Sequence, residues 1–290
     1  MTVLVAGHRG SGKSTELLRL QRQLEVDGYV VVLFDSTSDI DLDDADYADV
    51  LLALLFNLVE AAESMDGLTV TPGVLDEVAM NLARITFEKD EREAVELHLE
   101  SEFGIGADLP LFARVRAAFK SVLRSTEETK TNARRVGKSR PAQFLDDLNL
   151  VVNDLNSQIR TLPEPKNGLV VIVDSLDRMI SDRKRDGSLD GTTTARQVFL
   201  DHADHLKAPD CHLVYTVPLS LCYSENVQTR YPDGVEVVPM VKVILSDGEP
   251  CEEGVAVLHE AVAKRIDIDR VFASPDLVDR LCKFSGGNAR

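Results

Sequence analysis

The residue types best suited to chemistry lie together near the start of the chain. Gly7-His8-Arg9-Gly10-Ser11-Gly12-Lys13-Ser14-Thr15 fits the pattern G-x-x-x-x-G-K-[ST]. Glycines there let successive backbone N–H groups curl round a phosphate. Lys13 is spaced to reach β and γ oxygens, and the Ser14 hydroxyl is a hard oxygen suited to Mg²⁺. A helix starting at Lys13 adds the positive end of its dipole. The expected ligands are ATP and Mg²⁺, held by the residues from Gly7 to Thr15.

A phosphate loop of this kind needs a metal-holding acid at the end of a neighbouring strand. Leu169-Val170-Val171-Ile172-Val173-Asp174 is an apolar run ending in one. Asp174 is expected to hold Mg²⁺ mainly through water, and Asp177 to orient or deprotonate an attacking water. Leu213-Val214-Tyr215-Thr216 ends in a polar residue. Thr216 either touches the γ phosphate or its water, or simply satisfies the β-propensity of a strand end. Arg290, after Ser285-Gly286-Gly287-Asn288-Ala289, either pairs with phosphate or is a solvated charge.

These groups need a scaffold, and the hydrophobic pattern is that of an α/β protein. Short apolar runs at Thr2 to Ala6, Tyr29 to Phe34, Gly168 to Asp174, Cys211 to Val217 and Val235 to Val243 read as strands of a parallel sheet covered on both faces. Helical spacing marks Lys13 to Val26, Tyr47 to Ser64, Pro110 to Ser125, Pro141 to Leu162, Thr194 to Leu206, Glu252 to Ile266 and Pro275 to Phe284. Four segments follow: the first part of the core at 1–63, a mostly helical insertion at 64–167, the second part at 168–246, and the start of a C-terminal helical lid at 247–290.

The chain has 290 residues, enough for a buried core without disulfides, and its four cysteines form no C-x-x-C pair. No apolar run is long enough to span a membrane, and Met1 to Gly7 lacks a basic leader, so a cytoplasmic location is expected. A net charge of −17 repels polyanions, so any nucleic-acid contact would need a local patch. Arg114, Arg116, Lys120, Arg124, Lys130, Arg134, Arg135, Lys138 and Arg140 form the one basic stretch. It reads either as a DNA or protein contact or as a surface helix followed by a charged loop. The six aspartates between Asp39 and Asp49 read as a helix cap and solvated loop, since they lack the turn Gly and distal Glu of a calcium loop. His202 and His205 read as a solvated helix face.

The motifs together resemble the P-loop ATPases of the AAA+ superfamily and its STAND, KAP and origin-recognition-type relatives. GHRGSGKST resembles their Walker A, VVIVDSLDR a D-x-x-D-R form of Walker B, YTVP a sensor 1 strand, and SGGNAR the G-G-x-x-R opening of sensor 2. The resemblance implies a P-loop NTPase sheet of order 5-1-4-3-2 and a Mg²⁺-dependent ATPase acting as a switch. Its nucleotide state would be coupled to a partner protein or C-terminal effector domain, and a homo-oligomer is compatible with it. Two departures stand out. Ser175 occupies the position after Asp174 where many such ATPases carry Glu, which implies slow turnover. The chain also stops where a lid would still be incomplete, as in an excised module. A DNA-associated ATPase and a small-molecule phosphotransferase are the alternatives.

Overall fold

The computed structural model describes residues 1–87, 89–106, 108–123, 141–164, 166–179, 193–224 and 226–288. Five β-branched runs, each too short for a buried helix, form β1 (Thr2–Ala6), β2 (Val30–Asp35), β3 (Leu169–Asp174), β4 (His212–Val217) and β5 (Val235–Val237). All pair in parallel, in the order β2-β3-β4-β1-β5. Counted from the β5 edge, the same sheet reads 5-1-4-3-2. The last strand is shorter than the run from Val235 to Val243 predicts. Val238 still donates its N–H to the Ala6 carbonyl at 2.8 Å, but Pro239 has no N–H and the ladder stops there.

Alternation along the strands sends side chains to two unequal cores. Val5, Val31, Val170, Ile172 and Val214 face α1 (Lys13–Val26), which presses Leu17 on them. Leu4, Val32, Val171, Leu213 and Tyr215 face α2 (Tyr47–Ser64). This helix is apolar almost all round because it is covered twice, by the sheet and by a second helical layer. That layer comprises α3 (Pro72–Phe87), α4 (Arg92–Phe103), α5 (Leu111–Leu123) and α6 (Pro141–Thr161), and its Val78, Leu99, Val115 and Leu148 continue the same core. A third, separate core of Val243, Val255, Leu258, Val278 and Cys282 lies under α7 (Glu252–Ala263) and α8 (Pro275–Phe284). Among the described residues no helix is long and apolar enough to cross a membrane.

Three polar clusters differ from their sequence reading. Arg114 belongs to no contact patch: it is 3% exposed, and its guanidinium donates to the Glu96 and Ile105 carbonyls. Arg116 pairs with Glu60, and Arg124 to Arg140 lie outside the described residues. Asp46 and Asp49 are buried rather than solvated. The Asp49 carboxylate accepts the Asp46 N–H at 2.8 Å, the return arm of a capping box that starts α2. Among the described residues no three His, Cys, Asp or Glu side chains converge to hold a metal. His202 and His205 are half-buried, stacked on the Tyr47 ring at 4.2 and 4.8 Å. Their segment is not one regular helix but Thr194–Arg196, a π turn at Gln197–Asp201, and Ala203–Leu206.

Asp147, on α6 against α3, is a buried carboxylate with one satisfied oxygen. Asn81 donates to Oδ1 at 2.7 Å, while Oδ2 has no partner among the described residues. Burial pushes its pKa up to about 6, with the Glu77 and Asp146 charges adding to the rise, while Asn81 and Arg84 oppose it. The folded chain therefore binds a proton more tightly than the unfolded one. Stability falls as pH rises from about 4 to about 6, and above that window ionised Asp147 costs on the order of 3 kcal/mol. Asp147→Asn is expected to stabilise the fold at pH 8 and to be near neutral at pH 4.5. Urea denaturation at the two pH values checks this, and an equal effect at both would remove the carboxylate as the cause.

Candidate functional site

A parallel sheet gathers the carboxyl ends of its strands along one edge, where ligands of open α/β sheets bind. Here Ala6 lies opposite Val217 and Asp35 opposite Asp174. The loop leaving β1 turns through Gly10 at φ 89° and Gly12 at φ 92°, a conformation that L side chains rarely adopt. Space is tight as well: a Cβ on Gly7 would lie 2.6 Å from the Val238 carbonyl. The Ser11 N–H closes the loop on the His8 carbonyl at 3.1 Å, and Gly12 caps α1. The first helical bond runs from the Glu16 N–H to the Gly12 carbonyl, so the amides of Lys13, Ser14 and Thr15 have no preceding-turn carbonyl to reach.

Lys13 is the centre of the site. It is only 7% exposed, and its ammonium donates to the carbonyls of Gly7 (2.9 Å) and His8 (3.1 Å) and pairs with the Asp177 carboxylate at 2.9 Å. A cavity of about 240 Å³ opens beside it. Arg9, Gly10, Gly12, Ser14 and Thr15 line its loop side, and Ser175, Asp177, Arg178 and Arg265 the opposite side. Four cationic side chains and a helix N-terminus thus surround one carboxylate. Such a cavity attracts a compact polyanion and holds one proton acceptor against the lysine.

A strained turn brings Asp177 back to Lys13. Ser175 is the only non-glycine among the described residues with positive φ, at 70°, which costs about 1 kcal/mol. Two bonds hold it. The Ser175 N–H donates to Asp174 Oδ1 at 2.6 Å, and its carbonyl accepts the Arg178 N–H. Burial raises the Asp35 pKa, but the bonds from Thr37, the neighbouring Ser175 hydroxyl and the Arg178 charge outweigh it and keep the group below the usual carboxylate range. Ser36 ties the same corner by donating to the Asp174 carbonyl at 2.8 Å.

The loop, Lys13 and Asp177 come together as their spacing predicts. Asp174 sits just behind them, 7% exposed and outside the cavity lining. Thr216 does not reach the cavity. It is fully buried, and its hydroxyl accepts the Leu176 N–H at 2.9 Å and leans on the Val173 carbonyl, pinning the turn that carries Asp177 to β4. Arg290 lies outside the described residues, but Asn288 two positions earlier donates to the Arg9 carbonyl at 3.3 Å. Its amide is so close that a Cβ on Gly10 would meet it at 2.0 Å. Two arginines escaped the sequence reading. Arg178 stands inside the D-x-x-D-R motif and was legible there. Arg265, just past the end of α7, carries no local signal, because only the docking of the C-terminal helices brings it to the loop.

No family model matches this chain. No curated protein matches it either.

Proposed function

We propose that the chain is a P-loop NTPase of the AAA+ type: a Mg²⁺-dependent ATP-binding and hydrolysing switch. The observation that carries the reading is the Lys13 ammonium, buried between two loop carbonyls and Asp177 at the wall of a cavity lined by Arg9, Arg178 and Arg265. The size of that cavity suits a phosphate chain, with base and ribose lying outside it. Its hard-oxygen donors, the Ser14 hydroxyl and the Asp174 carboxylate just behind, fit Mg²⁺ with water in between, and the ion would neutralise phosphate charge when bound. The loop amides and Lys13 bind and orient the phosphates. Asp177 takes the proton of the attacking water, and Arg178 faces the charge that builds on the transferred group.

The coupling follows from two contacts. Arg265 on the cavity wall follows α7 and Asn288 on the Arg9 carbonyl follows α8, so phosphate binding bears on where those helices sit. Arg265→Ala is expected to weaken ATP binding by only about 2- to 5-fold, since the side chain is solvent-exposed. It should also abolish ATP-dependent hydrogen-exchange protection of residues 252–288. Titration calorimetry and exchange with and without Mg·ATP test both parts. Protection that is absent in the wild type would uncouple these helices from the nucleotide.

A further inference from the structure

The two faces of the sheet are covered unequally. α2 and the second helical layer close one face, whereas among the described residues α1 alone stands on the other. Beside α1, over β1, β4 and β5, lies a groove of about 510 Å³. Val3, Val5 and Val214 form its floor, with Leu17, Leu20 and Leu24 of α1 as its wall. A parallel sheet is stable when helices cover both faces, so this floor has the shape and polarity of a helix seat. Its rim is acidic. Glu16 stands on the α1 side and Asp233 and Glu236 on the β5 side, and among the described residues no lysine or arginine lines the groove. Arg19 pairs with Glu16 at 3.8 Å from the exposed surface of α1, and the N-terminal ammonium of Met1 lies at the His212 end of the groove. His212, at one end, adds no positive charge at neutral pH, because burial and the adjacent N-terminal ammonium push its pKa down.

We propose that this groove docks an amphipathic helix of a partner protein, one whose apolar stripe lies on Val3, Val5 and Leu20 and whose flanking Lys or Arg residues meet Glu16, Asp233 and Glu236. The apolar floor supplies affinity, and the acidic rim selects the charge of the partner and its orientation. This surface lies apart from the loop cavity and does not depend on the reading of that site.

Two synthetic peptides of about 18 residues, long enough to run beside α1, test the proposal. Both carry the same Leu/Ala stripe, flanked by lysines in one and by glutamates in the other. Fluorescence anisotropy with the full chain is expected to show micromolar binding of the lysine peptide and at least about tenfold weaker binding of the other. The exposed substitution Glu236→Lys should weaken the lysine peptide by about 3- to 10-fold, and Leu20→Asp should abolish binding. Circular dichroism verifies that both variants remain folded. Hydrogen exchange should place the new protection on residues 3–6, 17–24 and 213–217. Equal affinity for the two peptides, no effect of Glu236→Lys, or protection elsewhere would each overturn the proposal. So would a concentration-dependent dimer, seen by sedimentation and broken by Leu20→Asp, since the occupant would then be a second copy of this chain.

Discussion

Lys13→Ala is expected to weaken Mg·ATP binding by about 10- to 100-fold. A charge-assisted bond made by a desolvated ammonium contributes about 1.5–3 kcal/mol, which corresponds to that range. The geometry favours its upper end. Lys13 neutralises Asp177, itself only 14% exposed and on the same cavity wall. Without the lysine, that carboxylate faces incoming phosphate as an unpaired like charge. The two loop carbonyls lose their donor at the same time, so the loop from Gly7 to Gly12 loses an internal tie as well as a ligand contact. Calorimetry on the wild type and the variant, with thermal melts to confirm folding, gives the answer. Equal affinities would remove the loop from nucleotide binding and take the proposed function with it.

The parts of this site that are legible in the sequence are those fixed by local rules. Gly10 and Gly12 are demanded by the left-handed turns of the loop, and Lys13 begins a helix that ends at Val26, just before Gly28. The apolar run from Leu169 to Asp174 is a strand because it is β-branched and brief. What was not legible depends on partners far along the chain. The Thr216 hydroxyl is used up by an amide forty residues away, so a polar strand end that looked free to meet ligand is a strut. Arg114 sits on an amphipathic helix yet is swallowed by carbonyls of two other segments, which no periodicity announces. Arg265 reaches the cavity only because a separate core under α7 and α8 docks against the loop. The short β5 is an intermediate case, since Pro239 was visible in the sequence and its missing N–H sets the strand's end.

Asp177→Asn is expected to separate binding from chemistry. If Asp177 takes the proton of the attacking water, the amide variant slows single-turnover hydrolysis by about 10² or more, because asparagine keeps the shape and loses the basicity. Binding should not suffer. The carboxylate competes with phosphate for the Lys13 ammonium at 2.9 Å, so neutralising it leaves Mg·ATP bound at least as tightly as before. Asp174→Asn should behave differently. That residue is buried at the end of β3, with one oxygen committed to the Ser175 N–H, and its role runs through the metal, so Mg²⁺-nucleotide affinity and turnover should fall together. A counter-ion role for Asp177 makes the opposite forecast: the asparagine variant would lose thermal stability through an unpaired Lys13 while its chemical step kept the wild-type rate. Rapid-quench single-turnover rates measured beside melting curves distinguish the two. An unchanged rate would take Asp177 out of the reaction and leave it as the partner that holds Lys13 in place.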